Sequence, residues 1–299
     1  MSRQVLGFFY LALAMLTVGS TVIASKLIAS GLPPFSATAL RFAIAFPVFL
    51  LLMWATGARL PKLSRSDRLI LLIQAGAGSV GYTTLLISGL SLTSAADAGV
   101  IIGTLPVVAA AISILLLRDR PQRALLLAVA LATAGVLSIA FTPDAAGGSL
   151  SGNALIFLAV VCEGLFILLN KKLKTEIAPL AQSTMMAGIG FIVAAIPAAI
   201  FEAPFAQGIS ASAVAAVFYY ALVPTVGGFL LWYAGAERVS GTEAALFTAV
   251  APVSAVILAF ILLGEPVGLH QLAGIACVLA AVLGLAFTGS RTVKLAGGR

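Results

Sequence analysis

Charge is what this sequence has least of. Of 299 residues, 17 are Lys or Arg and 10 are Asp or Glu, together 9%, against 61% hydrophobic residues. A water-soluble domain carries about 25% charged and about 45–50% apolar residues, so this chain cannot cover a water-facing surface. A soluble enzyme is thereby excluded. Cysteine is scarce too: Cys162 and Cys277 both fall inside apolar runs, which excludes a disulfide framework or a thiolate metal site and leaves plain packing. The single histidine and the lack of any Asp-rich motif remove the nucleophile–base pairs, metal clusters and paired aspartates that intramembrane chemistry needs, so no catalytic residue, metal or cofactor is expected. No Walker motif occurs, and although Gly76-Ala77-Gly78-Ser79-Val80-Gly81 fits G-x-G-x-x-G, no strand precedes it in a soluble βαβ unit.

Long apolar runs are what is present. They continue for 18 residues or more without the alternation of a membrane barrel strand, so the fold class is all-α and polytopic. Gly, Pro and charge punctuation divide the chain into ten candidate transmembrane helices, at about 5–28, 35–56, 68–91, 94–117, 122–141, 151–172, 179–201, 212–236, 240–263 and 268–288. The first run shows no convincing cleavage site and reads as a retained helix. The net charge of +7 is no nucleic-acid footprint, because basic residues in a membrane protein first report orientation. With the N-terminus inside, 15 of the 17 lie in the even-numbered connections and the tails, while Asp144, Glu202 and Glu265 lie in the outer loops. The positive-inside rule therefore predicts ten spans with cytoplasmic termini, in the lipid bilayer of a plasma membrane.

The chain also resembles itself. A shift of 146 residues lays Asp97–Phe141 over Glu243–Phe287 without a gap, with about 13 of 45 positions identical, among them Pro106 on Pro252. The same shift places Val80-Gly81 on Val226-Gly227 and Gly89 on Gly235. Two copies of five helices follow, 1–145 and 146–299. Because five is odd, the second copy enters the membrane from the opposite face, which makes an inverted repeat.

The five-plus-five arrangement, the stretch Thr93-Ser94-Ala95-Ala96-Asp97-Ala98, the prolines Pro106 and Pro252, and the turn Leu262-Leu263-Gly264-Glu265-Pro266 resemble the EamA-type drug/metabolite transporter superfamily. Within it, length and sequence are most similar to the YddG-type amino acid exporters. The resemblance implies a basket of ten helices around a central cavity open alternately to either side, and export of amino acids and related metabolites as the small-molecule substrate. A bacterial inner membrane and a single chain sufficient for its own pathway go with it. Multidrug or nucleotide-sugar carriage within the same superfamily is the alternative. The first copy departs from the pattern with Arg118-Asp119-Arg120-Pro121 where the second has Gly264-Glu265-Pro266.

A carrier must give a polar solute a path through hydrocarbon, so polar groups and helix breakers at mid-membrane depth are the candidate site. The third helix offers Gly78, Ser79, Gly81 and Tyr82, whose glycines allow local unwinding while the tyrosine supplies a ring and a hydroxyl. Its repeat mate, the eighth, offers Tyr220 and the breaker Pro224, with Trp232 and Tyr233 nearer an interfacial belt. Glu163, near the middle of the sixth helix, would cost about 2.5–3.5 kcal/mol as an isolated charge, so it is expected to face a cavity, be protonated or bond Asn170. Arg41 either holds a substrate carboxylate or, like Lys26, snorkels to the surface. Thr104, Thr248 and Ser254 are candidate cavity hydroxyls, and Pro106 and Pro252, read as mid-helix kinks, are candidate gating hinges with Pro224.

Overall fold

A computed structural model describes residues 3–117, 123–140, 149–170, 172–202, 210–239 and 247–296, and among them all regular structure is helical. The helices are α1 (Arg3–Ala29), α2 (Pro34–Thr56), α3 (Arg65–Gln74), α4 (Tyr82–Leu90), α5 (Ala95–Ile102), α6 (Leu105–Leu117) and α7 (Arg123–Ala140). They continue with α8 (Leu150–Asn170), α9 (Pro179–Phe201), α10 (Ala211–Tyr220), α11 (Gly228–Ala236), α12 (Val250–Leu263) and α13 (Leu269–Ala296). Two π-helical turns, Ala75–Gly81 and Ala221–Gly227, join α3 to α4 and α10 to α11 into continuous rods. Among the described residues, six helical rods are long and apolar enough to cross a bilayer, or seven if α5 and α6, bent by 41°, form one. Helices α7, α12 and α13 supply shorter apolar stretches. The boundary expected near residue 145 and the departure at 118–121 lie outside the described residues.

Local chemistry sets the helix ends. Pro34 and Pro179 open α2 and α9 at a position where the missing N–H has no intrahelical partner to lose. Ser64 and Ser94 cap α3 and α5 by accepting from the Asp67 and Asp97 amides, each at 3.0 Å. Gly57 and Gly264 end α2 and α12 at φ of 67° and 66°, a conformation that suits glycine.

Packing relies on small residues. Helix α2 packs along α9, α7 along α13, α1 along α11 and α12, and α4 along α8. Alanines such as Ala14, Ala45, Ala95, Ala159 and Ala194 are fully buried at these seams. Close approach of backbones supplies the van der Waals contact that holds helices together where lipid weakens the hydrophobic drive. The tightest crossing is α1 on α12, where a Cβ built on Gly19 would stand 1.9 Å from Ser254 Oγ and 2.6 Å from the Ala251 carbonyl. Many large apolar side chains also face outward, with Leu51 60%, Ile200 66% and Phe201 80% exposed, which suits hydrocarbon surroundings and would be costly in water.

One end of the molecule is drawn together by charges on helix termini. Both Glu202 carboxylate oxygens accept at the start of α2, from Phe35 N (2.9 Å), Ser36 N (2.7 Å) and Ser36 Oγ (2.7 Å). Glu265 likewise accepts from Ala95 N (3.1 Å) and Ala96 N (3.0 Å) at the start of α5. Anions thus meet the positive helix ends. The two motifs behind the family resemblance, 93–98 and 262–266, therefore meet through this contact. Lys26 does not snorkel: its Nζ donates to Leu90 O (2.8 Å) and Thr93 O (2.6 Å) at the negative end of α4.

The prolines sit differently from the expectation of mid-helix kinks. Pro106 is the second residue of α6, just after the bend at Gly103-Thr104, and Pro252 is the third residue of α12, just after a turn at Thr248-Ala249. Each opens a helix, where proline costs no hydrogen bond, and the break precedes it.

Candidate functional site

The inner faces of α1, α2, α4, α8, α9, α10, α11 and the two π-turns enclose a cavity of about 410 Å³. Its lining reaches Asn170, the last residue of α8, and Gln182, in the first turn of α9, so it extends to the end of the molecule where those helices connect. Aromatic rings form much of the wall: Phe49, Tyr82, Phe166, Tyr220, Phe229, Trp232 and Tyr233.

The two π-turns shape its middle. They start at residues 75 and 221, an interval equal to the shift at which the sequence matches itself. In each, the following helix begins with an i→i−5 bond, Tyr82 N to Ala77 O and Gly228 N to Val223 O. Such turns interrupt α-helices mostly as single insertions and are frequent at functional sites. The second has an evident cause. Pro224 has no N–H for the Tyr220 carbonyl, which instead accepts from Thr225 Oγ1 at 2.7 Å. The first is built around Gly78, where a Cβ would stand 2.4 Å from the Phe166 side chain. Gln74, just before it, is fully buried and donates from Nε2 to Phe166 O at 3.1 Å.

Arg41 is held between these turns. It is only 7% exposed, and its Nη2 donates weakly to Ser79 O of the first turn at 3.4 Å. Its guanidinium lies 4.2 Å from the centroid of Phe42 and 4.5 Å from that of Tyr220. Its buried Nε has no hydrogen-bond partner. Glu163 lines the same cavity from α8. A guanidinium and a carboxyl group thus line one chamber.

The lining brings together Arg41, Gly78, Ser79, Tyr82, Glu163, Tyr220 and Pro224, all expected from the sequence. Thr104, Thr248 and Ser254 are not part of it. Thr104 Oγ1 donates to Ile101 O at 2.7 Å and Ser254 Oγ to Ala251 O at 2.9 Å, the back-bonding that short hydroxyl side chains make on their own helix. Asn170 does not bond Glu163 but accepts from Gln182 across the α8–α9 connection. Trp232 and Tyr233 also line the chamber. Sequence reasoning missed Phe49, Phe166 and Phe229, because hydropathy gives cavity-facing and lipid-facing phenylalanines the same value. It also missed Thr21, Thr83, Gln182 and Ser183, whose polarity within or beside apolar runs was the available signal.

The profile of the EamA-like transporter family matches residues 5–141 and again residues 150–287. The chain belongs to this family. It is accordingly a multi-pass integral membrane protein and a transporter. The EamA-like chain is 36% identical to the uncharacterized transporter YetK of Bacillus subtilis (strain 168), over 94% of its own length and 86% of the relative's. It is 25% identical to the uncharacterized transporter YyaM of the same organism, covering 89% of this chain and 88% of that one. An uncharacterized transporter of Archaeoglobus fulgidus is also 25% identical, over 91% of this chain and 95% of the relative. A solved crystal structure superposes on it with a TM-score of 0.60 at 21% identity, covering 96% of this chain and 99% of the other, a likeness of fold.

Proposed function

We propose that this EamA-like protein is a secondary carrier that exports amino acids and related small metabolites across a bacterial inner membrane by alternating access through the central cavity. In this reading it has ten transmembrane helices, arranged as two inverted repeats at 1–145 and 146–299, with both termini cytoplasmic. The observation that carries the substrate class is that one aromatic chamber is lined by both a guanidinium, Arg41, and a carboxyl group, Glu163. An amino acid presents the complementary charges. Its carboxylate takes the planar fork of Arg41, its ammonium goes to Glu163, and its side chain meets the rings of Tyr82 and Tyr220. Gly78, Ser79 and Pro224 shape the backbone beside it.

The repeat reading draws support from the equal spacing of the π-turns and the twofold profile match. With the basic connections inside, the cavity end at Asn170 and Gln182 faces the cytoplasm, the side from which an exporter loads. The breaks before Pro106 and Pro252, with the π-turn at Pro224, are the hinges of this account.

Purified protein in liposomes is expected to move labelled amino acids without ATP. Glu163→Gln and Tyr82→Ala should slow that flux in protein that remains folded by its thermal transition. Absence of flux across the amino acid panel, with intact protein, rejects the substrate class. Wild-type flux in Glu163→Gln removes that carboxylate from the site.

A further inference from the structure

Outside the cavity, a strongly basic surface lies at the end where α2 passes into α3. Arg59, Lys62, Arg65 and Arg68 fall within ten residues, and all four are exposed. The segment between Ala58 and Leu69 contains a single acid, Asp67, and the fold removes it from the surface. Asp67 is fully buried, accepting from Lys174 N at 3.1 Å and from Thr175 Oγ1 at 2.7 Å. Those bonds tie the α8–α9 connection to the start of α3, so exposed Lys172 and Lys174 join the same end, with Glu176 as the exposed acid beside them. Apolar side chains border the basic residues: Trp54, on the last turn of α2, is 81% exposed, and Leu60 is 54% exposed.

We propose that this surface binds the headgroups of anionic phospholipids. Four features select that occupant over a soluble polyanion. The patch sits where two rods long and apolar enough to cross a bilayer end. Its nearest acid is consumed internally, leaving the outward face cationic. Trp54 and Leu60 offer apolar contacts beside the charges, which acyl chains accept and a nucleic acid does not. Juxtamembrane clusters of four or more basic residues attract anionic lipid additively. Binding here also bears on the carrier, because the tied connection runs from Asn170 to Gln182, two residues at the open end of the cavity. A bound headgroup braces that connection. The inference rests on the membrane-spanning reading and is independent of the substrate.

The test uses full-length protein in nanodiscs of phosphatidylcholine containing phosphatidylglycerol as the minor lipid, with the lipids retained on release identified by native mass spectrometry. Phosphatidylglycerol should be enriched at least about fivefold over its bulk fraction, the equivalent of a single basic residue's attraction of about 1 kcal/mol. Rising salt before release should reduce the enrichment, since the Debye length falls from about 10 Å at 0.1 M to about 3 Å at 1 M. The variant Arg59→Gln/Lys62→Gln/Arg65→Gln/Arg68→Gln/Lys172→Gln/Lys174→Gln should retain the two lipids in their bulk ratio. Enrichment that persists in this variant, or that ignores salt in the wild type, overturns the assignment. So does a bulk lipid ratio in the wild type alongside tight binding of a soluble polyanion such as heparin. The salt titration of the wild type keeps the test decisive if the variant fails to insert. Because no flux is measured, failure here is separable from failure of the amino acid assignment.

Discussion

Arg41→Gln is expected to cut amino acid flux by a factor of about 30 or more while the thermal midpoint of the protein holds or rises. Truncating one partner of a buried charged contact costs about 2–5 kcal/mol in binding, which sets the lower end of that factor. Stability should move the other way. The guanidinium is almost wholly withdrawn from solvent, its Nε is unpartnered and its bond to Ser79 O is long, so the rings of Phe42 and Tyr220, not strong hydrogen bonds, offset its desolvation. A buried charge without full pairing carries a desolvation cost, which a neutral side chain of similar length does not. Arg41→Lys sharpens the result: it keeps the charge but loses the planar fork and the stacking on Tyr220, and should restore only part of the flux. A fall in the midpoint matching the loss of flux would make Arg41 a structural brace between the π-turns. Flux at the wild-type rate would remove it from the site.

Gly19→Ala is expected to lower the thermal midpoint more than any other single methyl addition at the α1–α12 seam. The new Cβ would meet Ser254 Oγ at 1.9 Å and the Ala251 carbonyl at 2.6 Å, and a backbone carbonyl cannot rotate aside. Helices α1 and α12 must separate, and overpacking of this kind costs about 1–3 kcal/mol or more. Ser254→Ala added to it should recover only part of the loss, because the clash with Ala251 remains. Thermal unfolding of the two single variants and the double variant in detergent reads this directly. A double variant as stable as the wild type would show that the side chain, not the backbone, sets the helix separation.

The helices were legible in the sequence because hydrocarbon imposes a simple demand: every backbone group must be satisfied within its own apolar run. The run at 68–91 shows where that legibility stops. Its extent is plain, yet the π-turn inside it depends on how closely Phe166 of another helix approaches Gly78, a contact between residues far apart in the chain. The run at 212–236 carries a local clue, since Pro224 must leave the Tyr220 carbonyl without its usual donor, but the Thr225 hydroxyl that answers it is visible only in three dimensions. Arg41 and Lys26 looked alike as lone cations in apolar helices. One turns into the chamber and the other clasps the end of α4, a difference set by rotation about the helix axis that hydropathy does not carry. The candidate hydroxyls divided for a similar reason. Ser79 lines the chamber, whereas Thr104 and Ser254 bond back to carbonyls three residues earlier on their own chain.

A chamber that carries amino acids by opening alternately to the two sides must show counterflow in proteoliposomes. Vesicles loaded with unlabelled amino acid and diluted into a trace of the same labelled compound should accumulate label transiently above its equilibrium level. The outward-moving unlabelled molecules return the carrier to the side where label waits. A monotonic approach to equilibrium at the same rate with loaded and empty vesicles would contradict alternating access.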